Sequence, residues 1–487
     1  MGTLYEFPVE RRPPARGPAQ EVADALRRAV DARVGVEARF ETREVAALAL
    51  TNEATRLFLR DDLMAIADRH GEQVAVDGVL YQRHEPGTVR YFTLCGALDL
   101  DRWTYREVGV RNGATIVPLD LDAGLVERST PALGFRIALG YAKDHMRSCE
   151  EDMTADHRSP PSRSTLERIA KAIGTDARQA APRIEPRLRR AEGVPAGTVA
   201  ISLGLDRTSV PMEESLPAGD AATTRRQPRR TPYERTPPGP VTVNYRMAYV
   251  GTLAFHDANG DELGTRCYTA PAHACPTTQV VAPLMADLRH ALRQAPALTV
   301  GIIQDGAPEL WTLLAAPISA EPLVTTCYRA IDRYHLNERL AEVLRSIEPD
   351  VAARGARLSH WNARLDQDDK AIYRIRATVR KISADAVTRN DRTLFLTLDP
   401  HLTYLENHAH LMRYARLRAV GLPVGSGVTE GACKSVIGMR TNGSGQRWRP
   451  EGLEAVLTLR AVHQSDRLPR FWANFARAYR KEVTRCA

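Results

Sequence analysis

The stretch TVAISLGLD, residues 198–206, decides the fold. Successive side chains of a strand point to opposite faces, and here bulky apolar residues alternate with small ones. The bulky residues are Val199, Ile201, Leu203 and Leu205. The small residues, followed by an acid, are Ala200, Ser202, Gly204 and Asp206. The pattern predicts a strand that ends at Asp206, on a face that small side chains keep clear.

Further strands follow along the chain. They are VTVNYRMAYVGTLAFHD (241–257) and ELGTRCYTA (262–270), joined by a turn at Ala258-Asn259-Gly260, then LTVGIIQD (298–305) and VTTCYRAID (324–332). The mostly apolar run that ends in Asp305 is typical of a central strand buried on both faces. A helix is predicted near residues 279–294, and residues 336–420 show an almost continuous helical pattern.

This order of strands and helices is that of an RNase H-like sheet, in which the first and fourth strands lie side by side. Asp206 and Asp305 would then meet at neighbouring strand ends. A third acid, Glu430, lies in GLPVGSGVTEGACKSVIGMRTNGSGQRW (421–448), where a glycine-rich turn leads into a short helix. Two Mg²⁺ ions can stabilise both the attacking and the leaving oxygen of a phosphoryl transfer, and Mg²⁺ prefers oxygen ligands. We therefore predict Asp206, Asp305 and Glu430 as metal-binding catalytic residues, with a helical insertion before the third.

Each of these acids also has an ordinary structural interpretation. An aspartate at a strand end often caps a turn, and a glutamate in a first helical turn complements the helix dipole. His335 follows Asp332 and opens a helix. It either caps that helix or acts catalytically near the scissile phosphate, and Asp332 would then only orient it.

Basic residues follow Glu430 along the chain. Lys434, Arg440 and Arg447 are predicted to contact DNA phosphates, although solvated surface charge is the alternative. Trp448 is predicted to bind DNA by stacking on an unpaired base, or else to belong to the core.

The helical pattern over residues 130–176 is compatible with a helix-turn-helix region, a motif that binds DNA. In its last helix, Ser164 and Glu167 fit a capping box and Gly174 can end the helix. The apolar stripe of that helix is Leu166, Ile169, Ala170 and Ile173. The outer face is basic and is predicted to contact DNA through Arg163, Arg168 and Lys171. An ordinary amphipathic helix with a solvated face has the same pattern.

Composition permits a polyanionic partner. The chain has 487 residues, 67 Lys and Arg against 59 Asp and Glu, and a net charge of +8. Its seven cysteines are scattered and form no CxxC pair, which favours a reducing compartment. Because no long apolar run occurs, we expect a cytoplasmic protein with no membrane segment.

The segment from Gly421 to Trp472, with its GLPVGSGVTEGACK, GMR, SGQRW, LTLRA and FW motifs, resembles bacterial insertion-sequence transposases of the DDE type. Within that type, the segment resembles the ISKra group. TLCGALDL (93–100), IQDGAPELW (303–311) and IDRYHLNERL (331–340) agree with the resemblance. Two positions depart from the family pattern: Arg207 follows the first acid where the family usually has glycine, and Thr441-Asn442 replaces an apolar-basic pair.

The resemblance implies an α/β RNase H-like catalytic core with a helical insertion, preceded by a mainly helical DNA-binding region with a small β element. It implies a transposase that uses two Mg²⁺ ions per site, or Mn²⁺, to hydrolyse phosphodiesters at transposon ends and to transfer strands into target DNA. The partners would be double-stranded DNA, as terminal inverted repeats and target, and further copies of the chain in a homodimer or higher oligomer. Such a protein would be cytoplasmic and nucleoid-associated. The alternatives are an inactive or domesticated DNA-binding protein and a structure-selective RNase H-like nuclease.

The predicted divisions follow from these patterns. They are a disordered N-terminus (1–20), a helical domain with a small β element (21–120), the helix-turn-helix region (130–176), the first part of the core (197–335), the helical insertion (336–420), and the completion of the core with C-terminal helices (421–487). A Pro/Arg-rich loop over 217–240 is expected to be mobile and to touch DNA.

Overall fold

The computed structural model describes residues 17–215, 241–271 and 274–486. Most of the predicted disordered N-terminus, and the loop over 217–240, lie outside these residues. Pro18 already begins a helix, so the prediction of disorder is wrong for the last residues of that terminus. Proline suits the first turn of a helix because its missing N–H has no partner there in any case.

The described residues form two compact units. Unit 1 contains the chain up to Ile137, Met146–Ile169 and the residues from Ala476 onward. Unit 2 contains Ala138–His145 and Ala170–Phe475. The final residues therefore belong to unit 1, whereas the sequence pattern assigned all of 421–487 to the core with the acids.

The N-terminal elements alternate between helices and one sheet. They are α1 (Pro18–Val34), α2 (Phe40–Asp68), β1 (Gln73–Val76), β2 (Val79–Thr93), β3 (Gly96–Glu107), β4 (Thr115–Ile116), α3 (Pro118–Asp122), α4 (Pro131–Lys143), α5 (Met146–Ala155) and α6 (Arg163–Ala191). Strands β1 to β4 pair antiparallel in chain order, and the C-terminal strand Val483–Cys486 pairs with β1. Leu63 of α2 packs with Tyr91 and Leu100 of the sheet, which gives unit 1 its own core.

Helix α6 differs from its prediction at both ends. It begins at Arg163, so Ser164 lies inside the first turn and is not the cap, and it continues past Gly174 to Ala191. The predicted apolar stripe is fully buried: Leu166, Ile169, Ala170 and Ile173. Gly174 is needed for close packing, because a Cβ there would lie 2.5 Å from the Cβ of Ala455.

Unit 2 is built on a mixed five-stranded sheet. Its strands are β5 (Ala200–Ser215), β6 (Val241–His256), β7 (Glu262–Ala270), β8 (Thr299–Gln304) and β9 (Cys327–Ile331). The spatial order is β7-β6-β5-β8-β9, with β5 to β7 antiparallel and β8 parallel to both β5 and β9. The predicted adjacency of the strands that carry Asp206 and lead to Asp305 is thus confirmed.

Helices make up most of the remaining chain. They are α7 (Ala282–Gln294), α8 (Pro308–Ser319), α9 (Arg333–Ile347), α10 (Val351–Gln367), α11 (Ala371–Thr388), α12 (Arg392–His408), α13 (Tyr414–Ala419), α14 (Gly427–Ala432), α15 (Met439–Thr441), α16 (Pro450–Gln464) and α17 (Leu468–Tyr479), followed by β10 (Val483–Cys486). A π-helical turn over Cys433–Gly438 joins α14 to α15. Aspartates begin α9, α10 and α12, where Asp332, Asp350 and Asp391 each accept a hydrogen bond from a first-turn N–H.

The unit 2 sheet is covered on both faces. On one face, Leu203 and Ile302 pack against α7 and α8. On the other face, Ile303 and Ile331 pack against the helices that follow β9. Each fully buried leucine or isoleucine contributes about 1.5–3 kcal/mol, so the sheet is held rigidly between the two layers. Among the described helices, none is both long and apolar enough to cross a membrane.

Candidate active site

Asp206 lies where two parallel strands diverge. The pairing of β5 with β8 runs from Ala200 opposite Thr299 to Leu203 opposite Ile302 and stops there. Strand β5 nevertheless continues to Ser215 along β6, so Asp206 is in the middle of a strand and not at its end as predicted. The antiparallel hairpin with β6 carries β5 beyond its neighbour, which no pattern within β5 could indicate.

Gln304 fills the point of divergence. Its side chain is fully buried, and its Oε1 accepts a hydrogen bond from the Leu205 N–H at 3.3 Å, in place of a strand-to-strand bond. This contact joins the residue before Asp206 to the residue before Asp305. Sequence reasoning missed Gln304, although a polar residue at the end of an apolar strand was a signal.

Asp305 follows β8 directly, as predicted. Its Oδ1 accepts a hydrogen bond from the Ala307 N–H at 2.9 Å, and its carbonyl accepts one from Trp311 Nε1 at 2.7 Å. These bonds fix the turn that leads into α8, so the carboxylate is held at the edge of the sheet.

Glu430 arrives on a helix that is seated on the sheet. A Cβ at Gly204 would lie 2.3 Å from Thr429 Oγ1, so only glycine leaves room for α14. Thr429 Oγ1 also lies 2.6 Å from Thr252 Oγ1 on β6. Thr429 thus packs against β5 and β6, and the next residue, Glu430, lies close enough to Asp206 for its charge to act on that carboxylate.

The three carboxylates share one electrostatic environment. Burial raises the pKa of Asp206, and the charges of Asp305 and Glu430 raise it further, against hydrogen bonds from the Arg207 N–H and the Cys433 thiol that lower it. Burial and the neighbouring Asp206 charge likewise raise the pKa of the Cys433 thiol. Cys433 was not predicted; its position three residues after Glu430, on the same helix face, was the available signal.

The donor chemistry suits a hard divalent cation. Carboxylate oxygens are the ligands of Mg²⁺ and Mn²⁺, whereas the thiol of Cys433 serves here as a hydrogen-bond donor. In the described parts of the chain, no lysine or arginine forms an ion pair with Asp206 or Asp305, and Lys434 Nζ contacts Glu430 Oε1 at 2.7 Å. Within those residues, no group of three His, Cys, Asp or Glu side chains is arranged to hold one metal ion. The three carboxylates are suitable ligands for such a cation, and their side chains would have to rotate toward one another to bind it.

A cleft of about 920 Å³ opens beside Asp305. One wall is Asp305–Ala307, and the others come from α9, α10 and α12. Arg339 stacks over the Tyr404 ring at 4.4 Å, and both side chains line the cleft. His335 also lines it, with Nδ1 at 3.2 Å from Glu338 Oε2. The structure therefore places His335 near Asp305 and gives it an acidic partner on its own helix.

Two residues predicted to contact DNA lie in the interior. Arg440 is 5% exposed, with its guanidinium over the rings of Tyr141 and Trp448 at 5.3 and 5.6 Å. Trp448 is 9% exposed, and its backbone bonds to Pro211 and Glu213 extend the edge of β5. Both predictions are corrected: neither side chain can reach DNA as folded, because each is used to pack the other.

The remaining predicted DNA contacts are on the surface. Lys434 and Arg447 are exposed in unit 2, as is Lys171. Arg163 and Arg168 are exposed in unit 1, where Arg168 forms an ion pair with Glu127. Their exposure leaves them free to meet phosphates and does not by itself indicate a DNA-binding face.

Comparison with known proteins adds no identification. No protein-family model matches the chain, and no curated protein sequence matches it significantly. Its function is therefore inferred from the residues and geometry described above.

Proposed function

We propose that this chain is a DNA transposase of the DDE type, which cuts a phosphodiester at transposon ends and joins the freed end to target DNA. The observation that carries the proposal is the convergence of Asp206, Asp305 and Glu430 from two strands and a helix. The charges of Asp305 and Glu430 raise the pKa of Asp206, and among the described residues no arginine or lysine forms an ion pair with Asp206 or Asp305, so a bound cation would supply the missing positive charge.

The strand order supports the finer description of unit 2 as an RNase H-like core. Three antiparallel strands are followed by two parallel ones in the order β7-β6-β5-β8-β9, and the helices α9 to α13 stand between the second and third acids. That arrangement agrees with a catalytic core interrupted by a helical insertion. Three of these helices, α9, α10 and α12, form walls of the cleft beside Asp305.

The proposed chemistry needs no covalent bond to the protein. A water oxygen attacks the phosphorus at the transposon end, the bond from phosphorus to the 3′ oxygen breaks, and a 3′-hydroxyl is released. The oxygen of that hydroxyl then bonds to a phosphorus of target DNA while the bond from this phosphorus to the target's own 3′ oxygen breaks. The proton of the attacking hydroxyl goes to solvent, and the displaced 3′ oxygen takes up a proton from solvent. Asp206, Asp305 and Glu430 would hold two Mg²⁺ ions, which neutralise charge on the attacking and leaving oxygens.

The partners follow from the chemistry. The substrate would be double-stranded DNA, both terminal inverted repeats and target, and joining two ends calls for a dimer or higher oligomer. Lys434 and Arg447 are exposed cations that follow Glu430 on the chain. Lys434 would exchange its bond to Glu430 for a phosphate when a cation occupies the acids.

The test uses purified full-length protein and a labelled duplex carrying the ends of the genetic element that encodes it. We expect Mg²⁺-dependent cleavage that is lost in Asp305→Asn and in Glu430→Gln. Glu451→Gln is the matched control, since Glu451 is also an exposed first-turn glutamate, on α16. Cleavage by the two site variants at the rate of the unmodified protein would refute the assignment.

Two other outcomes would identify the alternatives. Tight binding without metal and without cutting would indicate a DNA-binding protein that lacks catalysis. Cleavage without any strand-transfer product would indicate a nuclease.

A further inference from the structure

We infer that Asp332 is a positioning residue for Glu430, which acts by latching the turn at Gly425-Ser426 to the end of β9. The inference rests on the proposed function, because it assigns Asp332 a role relative to the acid triad. It differs from the expectation that Asp332 orients His335.

Both carboxylate oxygens of Asp332 are engaged inside the protein. Asp332 is 1% exposed. Its Oδ1 accepts a hydrogen bond from the Tyr334 N–H at 2.5 Å, which caps α9. Its Oδ2 accepts one from the Ser426 N–H at 2.7 Å and another from the Ser426 hydroxyl. A charged acceptor strengthens such bonds, so the turn is held more firmly than a neutral side chain would hold it.

The backbone around Asp332 links the second acid to the third. The Asp332 N–H donates to the carbonyl of Gln304, the residue before Asp305, at 3.0 Å. The Arg333 N–H donates to the carbonyl of Val424 at 3.1 Å. One end of β9 is therefore bonded both to the strand that carries Asp305 and to the turn that precedes Glu430.

Ser426 transmits this position to Glu430. The Ser426 carbonyl accepts a hydrogen bond from the Glu430 N–H at 2.9 Å, one helical turn away. At Gly425 a Cβ would lie 3.6 Å from Asp332 Oδ1, so the turn passes directly over the carboxylate. A displacement of Ser426 would move the start of α14 and with it the Glu430 side chain.

Asp332 is not placed to act as a fourth metal ligand. Its oxygens already accept three hydrogen bonds and are closed to solvent, whereas Asp206, Asp305 and Glu430 remain partly exposed. A residue that holds a ligand in place commonly affects metal affinity or activity by about 10- to 100-fold when it is changed.

The test measures Mg²⁺ affinity by calorimetry on the full-length protein without DNA, and amide hydrogen exchange at Ser426 and Glu430 on the metal-free protein. In Asp332→Asn the amide presents N–H groups where acceptors are needed. We expect a loss of Mg²⁺ affinity of about 10- to 100-fold, with faster exchange at both amides. Ser426→Ala keeps the backbone N–H and should cause a smaller loss of Mg²⁺ affinity.

Asp350→Asn is the matched control, because Asp350 caps α10 through the Ala353 N–H at 2.7 Å without touching the turn. The Mg²⁺ affinity of this variant should be unchanged.

The outcomes separate the latch from the proposed function. If Asp305→Asn and Glu430→Gln lose Mg²⁺ affinity while Asp332→Asn keeps it, the latch is refuted and the proposed function stands. If Asp305→Asn and Glu430→Gln also keep their Mg²⁺ affinity, the proposed function fails. In that case, unchanged amide hydrogen exchange at Glu430 in Asp332→Asn would refute the latch as well. Should Asp332→Asn not fold, the same two measurements on Ser426→Ala decide, and unaltered affinity and exchange there would overturn the inference.

Discussion

Two clusters of three acids lie in unit 2, and they are built in opposite ways. Around Arg467, the carboxylates of Glu185, Glu192 and Asp287 are buried and paired: Arg467 reaches Glu192 at 2.6 Å and Glu185 at 3.1 Å. Asp287 also pairs with Arg189, and Glu192 with Arg266. Buried charges are tolerated there because each has an opposite charge and hydrogen bonds.

The cluster of Asp206, Asp305 and Glu430 lacks this compensation. Within the described residues its one ion pair is the exposed contact of Lys434 with Glu430. Nearby Arg207 is committed elsewhere, to Glu309. The first cluster is balanced by cations within the fold, whereas the second is short of positive charge and, in the proposed function, would take its cation from outside.

Removing the cation of the paired cluster should have the largest effect on stability. Arg467 is 3% exposed, and Arg467→Met would remove the arginine that pairs with all three carboxylates. We expect the free energy of unfolding to fall by about 3–5 kcal/mol, measured by urea denaturation. Arg470→Ala is the control, since Arg470 contacts the same Glu192 at 3.7 Å but is 58% exposed. If the free energy of unfolding falls by a similar amount in both variants, burial does not determine how much the ion pairs of this cluster stabilise the protein.

Adding a methyl group under Glu430 should have the next largest effect. In Gly204→Ala the new Cβ meets Thr429 Oγ1 and the Ile303 carbonyl, at 2.3 and 2.8 Å before any shift. We expect a loss of about 1–3 kcal/mol in urea denaturation, and weaker Mg²⁺ binding because α14 must move away from β5. Gly431→Ala on the same helix has open space around it and should not destabilise the protein. Equal stability of the two alanine variants would contradict the seating of α14 on Gly204.

Neutralising one acid of the uncompensated cluster should stabilise the metal-free protein. Burial first, then the charges of Asp305 and Glu430, hold the pKa of Asp206 above its ordinary value. The folded state therefore retains a proton that the unfolded state has lost, and the free energy of unfolding decreases as pH rises from the ordinary aspartate pKa of about 4 through the raised one. Asp206→Asn should be more stable than the unmodified protein at neutral pH, with the gain vanishing toward about pH 4. Thermal melts across that pH range check it; a variant that is less stable at neutral pH would show that Asp206 is compensated after all.

The smallest effect is expected at Lys434. Its side chain is 75% exposed, so Lys434→Gln should leave the melting temperature unchanged within error. If Lys434 contacts a phosphate in the DNA complex, the same change should reduce the slope of log affinity against log salt by about 1. DNA-binding titrations at several salt concentrations measure this slope, and Lys370→Gln, at the start of α11, is the control. If Lys434 stays paired with Glu430 in the complex, the slope of Lys434→Gln will equal that of the unmodified protein.

The local pattern of apolar residues predicted most elements because it reflects which side chains become buried. The alternation in TVAISLGLD, the run LTVGIIQD, and the stripe from Leu166 to Ile173 all correspond to buried sets in the structure. Asp305 was predicted at its position because it directly follows this buried strand, whose last residue is Gln304. Helix ends were predicted less well. Glycine commonly ends a helix, yet Gly174 lies inside α6, where the absence of a side chain lets a neighbouring helix pack closely.

The sequence by itself determined the strand and helix order, the acids at Asp206, Asp305 and Glu430, and the basic character of the segment after them. These depend on residue type and on spacing along the chain. Only the tertiary structure decided that Asp206 lies in mid-strand, that Cys433 donates to it, that Arg440 and Trp448 stack in the interior, and that Asp332 binds Ser426. Most of these contacts join residues far apart in the chain, and their partners are chosen by packing and hydrogen-bond geometry that no local pattern contains.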